Sequence, residues 1–330
     1  MSGMPWMGAE LDPLTWSTFF TTWRLEAGWL EASILLLSLY LLGHRRAVRR
    51  GDSTVRPWRV VSWITGVVLM YVSVASAIGA YAMSVFWMHM VLHLMMIMVV
   101  PALLVLGHPL TVLLEAFEGP ARERVQRALH SWPVTVLSHP AVGLLVYSVT
   151  IIGTHLTGFM DFMAEHEWAM TAELVLYVAA GYLFLLPLLG EEPTRPSPSY
   201  LSRLGVFVVG MVPDTIVGIV LLQTNHQPFP RMVAMHPDWA PDGLRDVNTA
   251  GALMWAAGDG LMMILAMGLM ITVITTPAKR ARMTGSWLEG VRRSTLMEHA
   301  GEGSEGITDA DSDEALDAYN RMLARLREHE

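Results

Sequence analysis

The chain has 330 residues and no cysteine. That absence removes disulfides, thiolate zinc sites, iron–sulfur ligation and cysteine nucleophiles together. Charged residues are also scarce, at 16% of the chain, and much of the net charge of −8 comes from the stretch after about residue 298, where GEGSEGITDADSDEALD lies. The acidity is therefore local and does not describe the whole surface. No GxSxG, P-loop, HExxH or glycine-rich dinucleotide turn occurs, so the common hydrolase and nucleotide-binding signatures are missing. Basic residues fall in short connections between apolar runs, which leaves no stripe of the kind that binds nucleic acid. The opening MSGMPWMGAELDP lacks the basic n-region and small-residue cleavage site of a signal peptide, and the N-terminus is expected to be retained.

What remains is apolar. Hydrophobic residues make up 53% of the chain, and the mean hydropathy of +0.40 is too high for an ordinary soluble domain of this size. Seven stretches are long enough to cross a hydrocarbon core, near 24–43, 60–80, 85–107, 140–158, 168–190, 202–223 and 250–275. The expected fold is all-α, a polytopic membrane bundle of seven transmembrane helices. The connection HRRAVRRGDSTVRPWR, residues 44–59, holds six arginines and is assigned to the cytoplasm by the positive-inside bias. Arg122, Arg124, Arg127, Arg195, Arg203, Lys279, Arg280 and Arg282 then fall inside, which puts the N-terminus outside and the C-terminus in the cytoplasm. The domain reading is an extracytoplasmic segment 1–23, a transmembrane domain 24–276 and a cytoplasmic tail 277–330. Two further helices are expected: a short one on the inner surface at 115–132, where charge alternates with Val125, Leu129 and Trp132, and an amphipathic one at 308–328, after an acidic linker.

An ionisable side chain inside a span costs roughly 2.5 kcal/mol or more on insertion scales, so each one needs a structural or functional reason. At about 1.5 Å per residue, His89 and His93 lie about 6 and 12 Å below the outer end of their span, His155 about 5 Å, Glu173 about 8 Å, and Asp214 and Asp259 about 13 Å. Six groups from five spans share the outer half of the membrane, which predicts a pocket open to the extracytoplasmic side. His44, His108, His130 and His139 sit at span ends or in cytoplasmic loops and are read as interfacial residues. His89 and His93, four residues apart, share a helix face on which two imidazoles can bind one metal, and Met96 continues that face one turn deeper. Asp214 follows Pro213, where a kink is expected to turn the carboxylate inward. Taken singly, each has a plain structural reading: interhelical hydrogen bonding for the histidines, relay or bridging for the aspartates, water contact for Glu173, packing for the methionine.

Imidazole with thioether and no thiolate suits copper, above all Cu(I), better than magnesium or calcium, with zinc as the alternative where His and Asp are the ligands. Met1, Met4 and Met7 recur every third residue on the expected outer side, where thioethers meet incoming copper.

The stretch HMVLHLMMIMVVPALLVLGHPLTVLL, 89–114, resembles the third span of the CtaG family of cytochrome c oxidase assembly factors. HPAVGLLVYSVTIIGTHLTGFMD at 139–161, AELVLYVAAGYLFLLPLLG at 172–190, VPDTIVGIVLL at 212–222 and AGALMWAAGD at 250–259 extend the resemblance in order from about residue 25 to 276. It implies a seven-span membrane protein that helps copper reach the copper B centre of a haem-copper oxidase. The family's histidine pair falls on His89 and His93, its fourth-span histidine on His155 and its fifth-span acid on Glu173, although Met170 and Leu174 stand where related sequences carry histidines.

The reading that follows is a metallochaperone and not an enzyme. Its expected metal residues are His89, His93, His155, Met96, Asp259, Asp214 and Glu173, and its cargo is copper as Cu(I). The expected partners are an extracytoplasmic copper donor, the oxidase catalytic subunit and the lipids of a bacterial plasma membrane. The competing readings are a proton-coupled transporter that uses Asp214 and Asp259 as relay carboxylates, and a metal-free accessory subunit that fastens oxidase helices.

Overall fold

A computed structural model describes residues 11–195, 198–234 and 236–276, and all the regular structure among them is helical. Met1, Met4, Met7 and the expected tail helix at 308–328 lie outside the described residues. Among the described residues, those from 11 to 267 other than 199–201 form one compact unit, and 199–201 with 268–276 fall in a second. Among the described residues, six helices are long and apolar enough to cross a membrane: Ala27–Arg50, Pro57–Tyr81, Phe86–Glu115, Trp168–Leu189, Tyr200–Gln223 and Gly243–Thr275. Pro140–His155 and Phe159–Glu165 meet at 68° and make a seventh if counted as one broken span. They are called here the first to seventh apolar helices in chain order, with the bent pair as the fourth.

The ends of these helices differ from the hydropathy pattern for local reasons. The first runs on through its arginines to Arg50, because helical hydrogen bonding does not require apolar side chains. It stops at Gly51, whose left-handed backbone (φ 78°) lets its N–H close on the carbonyls of Ala47 and Val48. Hydropathy predicts the fourth as one span near 140–158, but its helix ends at His155. Thr157 causes the turn: its hydroxyl donates to the Gly153 carbonyl at 2.6 Å and accepts the Phe159 N–H at 3.3 Å, which redirects the chain. The segment 115–132, expected as one short helix, contains the helix Gly119–Leu129 and is followed by a second short helix, Trp132–Leu137. The sixth helix runs unbroken through Pro213 and buries Asp214.

The third apolar helix is the centre of the bundle. Of its most apolar window 72% is buried, against 17% for the first and seventh helices. It contains a π-helical segment, Met95–Val99. The sequence accounts for this irregularity, since an α-helix would pair the Ile97 carbonyl with the N–H of residue 101, and residue 101 is proline. The third helix packs against the second and fifth, and the fifth against the fourth.

The N-terminal end of this central helix is held by a residue 160 positions further along the chain. Asp246, fully buried in the first turn of the seventh helix, accepts the backbone N–H groups of Phe86 at 2.6 Å and Trp87 at 3.0 Å. These are first-turn donors with no partner inside their own helix, and a carboxylate there also meets the positive end of the helix dipole. Asp246→Ala is expected to lower stability by about 2–4 kcal/mol, the cost of a lost cap and two stranded buried donors. Asp246→Asn, which keeps one acceptor oxygen, should lose less. Thermal unfolding in detergent orders the three proteins, and equal melting temperatures would remove the cap from the account.

Candidate metal centre

Two helical rows face each other at the core of the bundle. His89, His93 and Ile97 recur every four residues on the third helix, and Glu173, Tyr177 and Gly181 do the same on the fifth. The rows meet in step. His89 Nε2 and His93 Nε2 lie 3.7 and 3.3 Å from Glu173 Oε2. The His93 ring lies 4.1 Å from the Tyr177 ring between centroids, and Gly181 lies against the Ile97 carbonyl. Because the pairs advance together along both chains, the third and fifth helices run parallel. The chain between them must then return once, which is the role of the bent fourth pair.

His155, the last residue of the helix Pro140–His155, brings a third imidazole to the cluster. Its Nε2 lies 3.3 Å from His93 Nδ1, and the two rings meet at 89°. All four residues are withdrawn from solvent, with His89, His93, His155 and Glu173 exposing 0, 3, 1 and 1% of their surface. The chemical character of the site lies in what is unpaired: His89 Nε2, His93 Nε2 and both Glu173 oxygens have no hydrogen-bond partner. Imidazole nitrogens and carboxylate oxygens have been brought together without hydrogen bonds between them, an arrangement that burial makes expensive.

A cation bound between these atoms would relieve that arrangement. His89, His93 and Glu173 each offer one ligand atom, and these atoms lie within 4.8 Å of one another. Two imidazole nitrogens with one carboxylate oxygen form a donor set that suits a first-row transition metal and leaves positions open for exchange. The residues present therefore fit a metal ion.

The remaining expected ligands lie in the π-helical segment and on the sixth and seventh helices. Met96 is fully buried in the π-helical segment, beyond His93. Asp214 is buried and accepts a 2.6 Å hydrogen bond from the Tyr147 hydroxyl, while Asp259 accepts one of 2.7 Å from Thr215. Both aspartates are thus held by hydroxyl groups. Asn248 donates to the carbonyls of Leu221 and Thr224 at the end of the sixth helix, and Trp255 and Met263 on the seventh are exposed.

Sequence reasoning missed Tyr177, Thr154 and Asp246. Tyr177 Oη lies 2.7 Å from Thr154 Oγ1 and 3.3 Å from His155 Nδ1, so the pair encloses the third imidazole. Tyr177 was within reach of a reading that extended the Glu173 face by one turn. Asp246 was not, because its value comes from a contact across 160 residues of chain.

A family model described as cytochrome c oxidase caa3 assembly factor (Caa3_CtaG) matches residues 38–276. An uncharacterized protein of Mycobacterium leprae is 28% identical over 332 residues, covering 97% of this chain and 47% of its own length. Uncharacterized proteins of Mycobacterium bovis and Mycobacterium tuberculosis are each 27% identical over 335 residues, with the same coverage. The chain spans about half the length of the curated relatives it matches. No solved structure matches it.

Proposed function

The chain belongs to the cytochrome c oxidase caa3 assembly factor family, and from that premise we propose that it takes up copper in the membrane and passes it to a haem-copper oxidase during assembly. The observation that carries this reading is the convergence of His89 Nε2, His93 Nε2 and Glu173 on one buried point, with no hydrogen-bond partner for any of them. In an oxidase assembly factor, the cation that fits such a point is the oxidase's own metal. Imidazole nitrogens bind copper well, and the carboxylate balances the charge of the ion it helps to hold.

In this reading copper is cargo, carried as Cu(I) from an extracytoplasmic donor and released by ligand exchange to the copper B centre. The three ligands leave coordination positions open for the incoming and outgoing partners. The arginine-rich connection at 44–59 supports an N-terminus outside and a C-terminus in the cytoplasm. With that orientation the site lies buried in the outer half of a bacterial plasma membrane, with no opening to solvent at its four residues, and Gly119–Leu129 lies on the inner surface. A segment before the bundle, the bundle itself and a cytoplasmic tail remain the proposed division of the chain.

The test is metal content with its cellular consequence. Protein purified in detergent should carry close to one equivalent of copper, in preference to zinc when both are supplied. His89→Ala with His93→Ala should lose it, and cells with that double variant should accumulate oxidase deficient in copper B. Unchanged copper content together with normal oxidase maturation in the double variant would reject the proposal.

A further inference from the structure

We infer that His155 is a positioning residue that locks His93 in one tautomer, and that it is not itself a ligand of the metal. The inference rests on the reading of His89, His93 and Glu173 as a metal site, but the hydrogen-bond chain behind it can be followed atom by atom.

The chain starts at a backbone carbonyl, which can only accept. His155 Nδ1 lies 3.0 Å from the Ile151 carbonyl oxygen, so the His155 proton sits on Nδ1. The neighbouring hydroxyls agree with that assignment. Thr154 Oγ1 lies 3.0 Å from His155 Nδ1, but its single proton is directed to the Thr150 carbonyl at 2.9 Å. The Tyr177 hydroxyl, 2.7 Å from Thr154 Oγ1, donates there and not to the more distant His155 Nδ1 at 3.3 Å. Neither hydroxyl has a proton left for His155 Nδ1, so that nitrogen must be the donor.

With Nδ1 protonated, His155 Nε2 carries an electron pair, and it points at His93 Nδ1, 3.3 Å away. That contact is favourable only if His93 Nδ1 carries the proton. His93 Nε2 is then left with an electron pair, and it is this atom that faces Glu173 Oε2 at 3.3 Å. The opposite tautomer would set two electron pairs against each other between His93 and His155. One carbonyl on the fourth helix thus decides, through two imidazoles, which nitrogen of His93 is available to a metal. Because its Nε2 is used to accept from His93 and its Nδ1 to donate to Ile151, His155 has no free electron pair to offer. The arrangement matches the general pattern in which a ligating imidazole is oriented by the partner of its other nitrogen.

The test uses the 330-residue chain in detergent, labelled with 15N at histidine. In the metal-free state His93 should show a protonated Nδ1 and an unprotonated Nε2. His155→Gln, whose side-chain carbonyl can still accept, should keep that tautomer, and His155→Leu should leave a mixture. Titration with Zn²⁺ should give one equivalent in all three proteins, with affinity weakened about 10- to 100-fold in His155→Leu and largely restored in His155→Gln. Cu²⁺ added to the wild type and to His155→Gln should show coupling to the same two imidazole nitrogens. A wild-type His93 protonated at Nε2, or three coupled nitrogens falling to two in His155→Gln, would overturn the assignment of His155 alone. A wild type that binds neither ion would instead remove the metal reading of the site, and with it the role given to His155. The wild-type tautomer needs no variant to fold.

Discussion

Replacing Glu173 with glutamine is expected to make the metal-free protein more stable while taking away its metal. The two effects have one cause. Both oxygens of Glu173 are buried without a hydrogen-bond partner, and Oε2 faces two imidazole nitrogens that also lack one. A carboxylate in that position stabilises nothing until a cation arrives, whereas glutamine presents an amide N–H that can donate to His93 Nε2. Removing a stranded buried charge and supplying the missing donor should gain about 1–3 kcal/mol, seen as a melting temperature higher by several degrees. Metal binding should fall by more than the roughly 10- to 100-fold that follows loss of an outer partner, because a direct ligand has gone. Alanine at the same position should lose the metal as well, but without the same gain, since it leaves a void beside both imidazoles. Thermal unfolding with and without added copper separates these effects. If Glu173→Gln unfolded at a lower temperature than the metal-free wild type, the carboxylate would already have a donor, and the case for a waiting cation site would lose its main support.

That opposition between stability and function is also why part of the site was legible in the sequence. A membrane span tolerates ionisable groups only for a reason, and His89, His93, His155 and Glu173 stood out because their surroundings are so apolar. Depth along each span was enough to place these four at one level, and the structure brings them together. Depth alone could not separate them from Asp214 and Asp259. What distinguishes the aspartates is azimuth: a hydroxyl from a neighbouring helix, Tyr147 in one case and Thr215 in the other, reaches each carboxylate. Those partners lie 67 and 44 residues away in the chain, and no local pattern links them. The break of the fourth helix escaped notice for a similar reason. Hydropathy is continuous through LTGF, residues 156–159, while the turn depends on which carbonyl the Thr157 hydroxyl finds. The π-helical segment was legible in principle, since Pro101 removes one donor from an otherwise uninterrupted run.

Gly181→Ala should drive apart the two helices that carry the site, and the metal site should fail with it. A Cβ built at Gly181 would lie 1.9 Å from the Ile97 carbonyl oxygen and 2.9 Å from the Pro101 ring. Neither neighbour is the free end of a flexible side chain, so the two helices must move apart. Overpacking of this kind costs about 1–3 kcal/mol in a soluble core, and more where backbone has to yield. The position of the clash determines its effect on function. Gly181 is two turns along the same face from Glu173, and Ile97 is one turn from His93, so a wedge between them widens the gap that Glu173 must bridge to both histidines. Because ligand atoms must be held to within about 0.5 Å, separation of the helices by even 1 Å should abolish tight binding while all three ligands remain in the sequence. The expected result is protein with a lower melting temperature, wild-type helical content and no retained copper. Gly153→Ala, where an added Cβ meets nothing within 4 Å, serves as the control and should keep both. Copper retained at the wild-type level in Gly181→Ala would mean that the spacing of the third and fifth helices does not set the geometry of the site.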